Sequence, residues 1–415
     1  MSLSLQNRMR LRRAAVWVSR LVVGVTFAIA GWAKAIDPWG FVIKTGEYLA
    51  VWNWTLPAEL IVAACVAVAS IEFCTGVLIA IGAMKRFSVW TAAAFMALML
   101  PLTLYIAIAD PVADCGCFGD FIIVSNWFTF VKNIVLTALI VYLAAYNRSV
   151  AGLVPAPVQW LAISVSLLFP FFLAFVGYNT QPVVDFRPFK LGTQMFHPAD
   201  YGADTYFTYE KNGERRNFTL DNIPDSTWVF VDAEAGGQPE DASCSVFDSD
   251  GEEVSEYIVN SEGEQLFLIV PDPNMQFLSR SHFVNSLADY GRNRGVELIA
   301  VVGSFGDTLD EWKDWVRPDF NVYSADPVSL KMTSRGVASL VMTRNGKIIW
   351  KRTLSSLDPG LIEYGDDSNV LSEIRPVDDG RIHATALCIY MASMLIIYLL
   401  GQSPKILRCF MPRKS

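Results

Sequence analysis

Six apolar stretches, each about as long as a helix crossing ~30 Å of hydrocarbon, constrain this 415-residue chain more than any other feature. They run over residues 14–36, 58–83, 87–109, 127–146, 158–178 and 384–401. A backbone in lipid has no water to satisfy its polar groups, so such stretches are expected to be helices. The first is too long for a secretory signal, and Lys34-Ala35-Ile36-Asp37-Pro38 does not read as a small-residue cleavage site. The expected partner of this part of the chain is therefore a lipid bilayer.

Charge divides the chain in two. Only 18% of the residues are charged, against about a quarter in ordinary soluble proteins. Residues 179–382 hold 34 of the 41 acidic side chains and 18 of the 33 basic ones, a net charge of about −16 against about +8 elsewhere. So acidic a soluble segment excludes nucleic acid as its partner, because nucleic-acid binding needs a basic footprint. Basic groups cluster before the first span (Arg8, Arg10, Arg12, Arg13), between the second and third (Lys85, Arg86), after the fourth (Arg148) and after the sixth (Lys405, Arg408, Arg413, Lys414). With six spans these all fall on one side, which the positive-inside rule makes cytoplasmic. The acidic segment and the loops 37–57 and 110–126 then face outward. This orientation implies a bacterial inner-membrane protein with a periplasmic soluble domain. Trp39, Trp52, Trp54, Trp127 and Tyr178 fall near the outer ends, as an interfacial aromatic belt requires.

Within the acidic segment, strands and helices alternate. Asn212-Gly213 and Asn345-Gly346 mark two hairpins. Residues 265–270 and 296–302 are continuous apolar runs, as in strands buried on both faces. Residues 276–294 have helical spacing, with Phe277, Phe283, Leu287 and Tyr290 inward, and 307–316 is an amphipathic helix. Strand, helix, strand, helix and a terminal hairpin predict an α/β sandwich with a mixed sheet. That order resembles the thioredoxin fold. In that family a CxxC follows the first buried strand, where this chain has Pro271-Asp272-Pro273-Asn274-Met275-Gln276, and a cis-proline sits where this chain has Ala338. The resemblance therefore implies a domain without the usual disulfide exchange, whose former active-site face, near Asp272, Asn274 and Ser339, serves for docking. Cys244, in an acidic stretch, reads as an incidental surface cysteine.

Seven cysteines do not make a disulfide scaffold, and three histidines argue against a histidine-built metal centre. Cys115 and Cys117, in Asp114-Cys115-Gly116-Cys117-Phe118-Gly119-Asp120, form the one close pair. Sulfurs one residue apart close a ring only in a tight turn, which Gly116 and Gly119 allow, and a strained bridge is a reducible one. The pair reads either as an outward-facing redox couple or as a bridged structural turn. Two thiolates holding a soft ion such as Cu(I) is a weaker reading. Glu72 lies near the middle of the second span, where an ionisable group is costly and suggests function. The bland alternative is a protonated carboxyl bonded to a neighbouring helix. Cys65, seven positions earlier, shares its face. Lys34 and Lys132, near the outer ends of their spans, either pair with Asp37, Asp114 or Asp120 or snorkel to the interface, and for each alone snorkelling is the simpler reading.

Residues 24–38, with Gly31, Trp32, Lys34 and Pro38, resemble the first helix of DoxX-like and MauE-like membrane proteins. Glu72 with Gly76 and Gly82 is similar to the second helix, Cys115-Gly116-Cys117 to a loop of the MauE branch, and Lys132-Asn133 with Leu136 to the start of the fourth. The stretch 184–192 resembles the junction in bacterial members carrying a fused thioredoxin-like domain. The resemblance covers about the first 145 residues. It implies a four-helix membrane domain and a role in maturation or disulfide formation of an envelope protein, with methylamine as a family label. By similarity to quinone-linked disulfide-forming enzymes it also points to quinone as cofactor, although the CxxC of those enzymes does not occur here.

The expected organisation is a four-helix DoxX/MauE-like domain (1–150), a fifth span (151–178), a periplasmic thioredoxin-like domain without CxxC (179–382) and a C-terminal anchor with a basic tail (383–415). The expected function is envelope thiol–disulfide or electron-transfer chemistry, with Cys115 and Cys117 as redox pair, Glu72 handling a proton or shaping a pocket, and an envelope protein as partner. The alternatives are a scaffold that docks that partner and, more remotely, transport of a small solute past Glu72. The oligomeric state is not legible.

Overall fold

A computed structural model describes residues 5–109, 116–117, 119, 124–182, 184–185, 187–195, 205–211, 214–218, 229–235, 244–259, 262–273, 275–358, 360–364, 370–375 and 379–403. The chain divides into two units, one of residues 1–184 with 378–415 and one of residues 185–377.

Among the described residues, the first unit contains six helices long and apolar enough to cross a membrane: α1 (Leu5–Ile36), α3 (Ala58–Ile81), α4 (Phe87–Ala109), α5 (Asn126–Tyr146), α6 (Gln159–Asn179) and α13 (Asp379–Gln402). A shorter helix, α2 (Pro38–Val51), follows α1 directly. Residues 38–51, expected as loop, are therefore helical. Pro38 at the first helical position has no N–H to leave orphaned, and the Asp37 carboxylate accepts from the Gly40 amide at 2.9 Å.

Helices α1 and α3 form the closest pairing of the unit. A β-carbon on Gly76 would lie 2.3 Å from the Ala28 amide nitrogen, and one on Gly31 would lie 2.4 Å from that of Phe73. Lipid is as apolar as leucine, so helices in it gain by bringing backbones together over small residues. Gly24, Ala28 and Gly31 supply that stripe on α1, and Ala69, Gly76 and Ala80 supply it on α3. Side chains of α1, α3, α4 and α5 fill the adjoining core, among them Val23, Phe27, Ile79, Met96, Leu136 and Ile140. A second cluster joins Phe73 to Phe169 on α6 and Tyr390 on α13, whose rings stack at 4.4 Å between centroids.

Among the described residues the second unit holds two sheets. The smaller has strand order β2-β1-β3 and is antiparallel, formed by β1 (Thr205–Lys211), β2 (Glu214–Phe218) and β3 (Val229–Ala235). Lys211 pairs with Glu214, so the strands form the expected hairpin, and Asn212-Gly213 lies outside the described residues. The larger has the order β4-β7-β6-β5-β8-β9, from β4 (Val246–Phe247), β5 (Glu264–Val270), β6 (Glu297–Val302), β7 (Asn321–Ala325), β8 (Ser339–Arg344) and β9 (Lys347–Thr353). Strands β5, β6 and β7 are parallel, and β4, β8 and β9 are antiparallel to their neighbours. Helices α8 (Ser281–Arg292), α9 (Asp307–Val316) and α10 (Pro327–Thr333) connect them, and short turns α7 (Ser255–Ile258), α11 (Leu361–Tyr364) and α12 (Val370–Glu373) complete the unit.

Alternation explains the apolar runs. Leu266, Leu268 and Val270 face a core with Phe277, Phe283, Leu287 and Trp312, whereas Phe267 and Ile269 face another with Phe189, Met195, Ile258 and Leu330. The mixed α/β sandwich is the expected thioredoxin-like architecture. Strand β7 and helix α10 were not predicted. Strand β7 is short and half polar, and α10 has only seven residues. Segment 185–195 lies along β9: the Gly192 amide donates to Ile348, the Ile348 amide to Thr193 and the Met195 amide to Gly346.

Candidate functional site

The candidate site lies where α2 meets α1 and α3. The close α1–α3 crossing brings Lys34 to Glu72, with Nζ 2.6 Å from Oε2 and both side chains largely buried. Lys34 thus does not simply snorkel to the interface; it meets the intramembrane carboxylate. Glu72, expected to handle a proton, to shape a pocket or to bond a neighbouring helix as a protonated carboxyl, lies in salt-bridge contact with Lys34 of α1. In hydrocarbon neither charge is tolerable alone, so each is the condition for the other.

Helix α2 covers this pair. The Phe41 ring lies 5.2 Å from Lys34 Nζ, near enough for a cation–π contact. One turn on, Thr45 Oγ1 is 3.4 Å from the Sγ of Cys65, a buried thiol on α3. Another side of α2 meets the cysteine loop: a β-carbon on Gly116 would lie 3.0 Å from Lys44 Cγ. Gly116 (φ 64°) and Gly119 (φ 56°) both adopt the left-handed conformation that favours glycine, and the Gly119 amide donates to Gly116 at 3.0 Å. Cys117 is half-buried in this turn. Cys115, Asp114 and Asp120 lie outside the described residues. One short helix therefore has Gly116-Cys117 on one side and Lys34, Glu72 and Cys65 on another. Trp39, in its first turn, stacks on Tyr178 at 4.8 Å and donates its indole N–H to the Tyr178 carbonyl at 2.9 Å, fixing α2 to the end of α6.

Sequence reasoning missed α2, although Asp37-Pro38 carried the signal of a helix start. It also missed Arg20, a charge inside the first apolar run that is fully buried. Its guanidinium donates to Asn147 Oδ1 (2.7 Å) and to the carbonyls of Asn147 (3.0 Å), Val150 (2.9 Å) and Ala151 (2.9 Å). The three carbonyls lie just beyond α5, where helical geometry no longer supplies each acceptor with a donor. At Gly31 and Gly76 the backbones of α1 and α3 are in contact on either side of Glu72.

Two expectations for the second unit need correction. Cys244 is not a surface cysteine: it is fully buried beside Val246 and Ala325, and burial pushes its thiol up to about 12. Ser339 is likewise fully buried, its hydroxyl donating to the Arg335 carbonyl at 2.6 Å, so it cannot belong to a docking surface. Asp272 is exposed and pairs with Lys331 at 2.9 Å, and Asn274 lies outside the described residues. A buried charge cluster was also unforeseen. Lys351 Nζ reaches Asp185 Oδ2 (2.9 Å), the Thr333 carbonyl (2.6 Å) and the Phe189 carbonyl, while Arg187 Nε meets Asp185 Oδ1 at 2.6 Å. Burial, and then the Arg187 charge, lower Lys351 to about 7 against the pull of Asp185. Burial pushes the Asp185 carboxyl up, but Arg187 and Lys351 more than offset it and hold it below its ordinary range.

Among the described residues no group of histidine, cysteine and carboxylate side chains is arranged to hold a metal ion. Fold and site together define a multi-pass membrane bundle joined to a thioredoxin-like α/β unit. Residues 12–146, which contain the first four spans, match the family model described as methylamine utilisation protein MauE. Residues 203–235, which contain the small sheet, match a domain of unknown function. A search of curated proteins gives no match. Among solved structures, the solution structure of a candidate protein disulfide isomerase from Bacteroides thetaiotaomicron matches 34% of this chain and 92% of its own, at 12% identity and a TM-score of 0.25.

Proposed function

We propose that this protein takes part in thiol–disulfide chemistry of the bacterial envelope, maturing a protein partner, with Cys115 and Cys117 as the redox pair. In the oxidising direction their disulfide accepts two electrons from a partner dithiol, which leaves as a disulfide. The reduced pair then passes two electrons and two protons to a membrane acceptor, for which a quinone is the class the family analogy suggests. The orientation that suits this chemistry has the cysteine loop and the acidic unit in the periplasm and the protein in the inner membrane. The observation that carries the reading is the double contact of α2, with the cysteine loop at Lys44 and with Lys34 and Cys65 through Phe41 and Thr45. The Lys44 stem lies against Gly116 and its ammonium meets Glu47 at 3.0 Å, and a cation brought near a thiol favours the reactive thiolate. The Lys34–Glu72 pair has the role of fixing the helices on which that loop rests.

The test replaces Cys115 or Cys117 with serine and compares the disulfide state of envelope proteins with the parent strain. The proposal expects at least one envelope protein to accumulate in the reduced form in both variants. An unchanged envelope thiol profile in both overturns it.

A second reading, a docking scaffold without redox activity, has its own support. The loop after β5 carries Pro271-Asp272-Pro273 in place of cysteines, and Cys244 is buried. On that reading the serine variants behave as the parent, whereas substitutions at Asp272 and Lys331 abolish partner pull-down.

A further inference from the structure

The end of the first unit opposite α2 presents cations without any countercharge of its own. The turn between α3 and α4, the segment after α5 and the end of α13 surround two cavities of about 810 and 450 Å³. Lys85, Arg86 and Arg148 line both. Spans and turns bordering them contain no acid: there is no Asp or Glu in residues 1–36, 73–109, 121–184 or 380–415. Two of the nearby cations are already committed. Arg20 is spent on the carbonyls beyond α5, and Lys85 Nζ donates to the Val150 carbonyl at 2.7 Å. Arg86 and Arg148 are exposed. Beside them the surface turns apolar at once, since Phe87 and Trp90 expose 60% and 71% of their area, and Trp90 lines the smaller cavity.

A pair of arginines over a recess, with an exposed indole and phenyl ring on the adjoining helix turn, matches a ligand that is anionic at one end and apolar at the other. We propose that this recess binds the head group of an anionic phospholipid, with the phosphate at Arg86 and Arg148 and the acyl chains running along Phe87 and Trp90. Guanidinium groups suit phosphate through paired N–H donors, and basic recesses between membrane helices are where such head groups lodge. The bilayer supplies the missing negative charge. This inference rests on the first unit alone and is independent of the redox reading.

The test uses the full-length protein, purified in detergent and stripped of lipid, titrated with phosphatidylglycerol or with phosphatidylcholine of the same chains, and read by native mass spectrometry. Phosphatidylglycerol is expected to be retained in preference, and Arg86→Gln with Arg148→Gln to lower its retention by about fivefold per arginine. Arg86→Lys with Arg148→Lys should keep most of the preference, and Arg8→Gln with Arg10→Gln, exposed cations outside both cavities, should leave it unchanged. The glutamine pair is exposed and outside the packed core, and either single change should give the smaller loss if the pair cannot be purified. Equal retention of the two lipids, equal loss in the Arg8/Arg10 variant, or displacement by an equal concentration of inorganic phosphate would each overturn the proposal.

Discussion

A buried ion pair within a span sets the tolerance of this protein to substitution. Removing one member of such a pair leaves an uncompensated charge and typically costs about 3–5 kcal/mol, whereas replacing both by apolar residues is often nearly neutral. Glu72→Ala or Lys34→Met alone should therefore lower the thermal stability of the detergent-solubilised protein markedly. The double variant Lys34→Met/Glu72→Leu should recover most of the loss, as a double-mutant cycle of melting temperatures would show. Additive losses would mean that the two charges act independently. In the second unit, Lys351 titrates at about 7 when folded, below the 10.5 of the free side chain. Its folded form therefore binds fewer protons than the unfolded chain between these values. Its contribution to stability is full above about 10.5 and is lost as pH falls to about 7. Asp185, depressed as well, adds stability that is lost only in the acid range as pH falls through its folded value. Proteolysis of the full-length protein should accordingly accelerate in residues 185–195 as pH drops from about 9 to about 7. Lys351→Met, which keeps the Asp185–Arg187 pair, should flatten that dependence. Cys244 gives a simpler check: buried and with a raised pKa, it should resist maleimide in the native protein and react only on unfolding.

Among the elements, the α1–α3 pair carries the most structural information. Its contact is backbone to backbone, so a larger residue at Gly31 or Gly76 meets main chain rather than a side chain that can turn away. Gly76→Val should cost more than the ~1–3 kcal/mol of ordinary overpacking and should also separate Lys34 from Glu72. The expected readout is a loss of folded protein in detergent, greater than for Gly46→Val on α2, where nothing lies within 4 Å of the added β-carbon. Elements also show how far sequence reasoning reaches. Long apolar spans, the hairpins at Asn-Gly and the doubly buried strands β5 and β6 were legible because length, turn chemistry and period are local properties. The Lys34–Glu72 pair was not, because it depends on where two helices cross. Gly24, Gly31 and Gly76 set that crossing, and a single sequence does not tell which glycines face each other. Ser339 and Cys244 were misplaced for the same reason: burial in a sheet is decided by neighbouring strands. Helix α2 was missed through attention to hydropathy, while its Asp37-Pro38 start was in view.

Taken whole, the molecule joins a membrane bundle whose residues 12–146 are similar to MauE to an α/β unit of thioredoxin-like order whose loop after β5 has no cysteine. On the proposed redox reading, thiol chemistry belongs to the membrane unit, in the turn held against α2. That division of labour predicts that removing residues 185–377 leaves the redox state of Cys115 and Cys117 unchanged while abolishing action on the partner. Whether the two sulfurs cycle separates the redox reading from the scaffold reading. The most direct measurement is differential alkylation of Cys115 and Cys117 in membranes isolated from growing cells, with and without prior reduction, read by mass spectrometry of the peptide that contains both. The account predicts that a substantial fraction of both sulfurs is blocked together before reduction and labelled together after it. Both sulfurs fully labelled without reduction would contradict it.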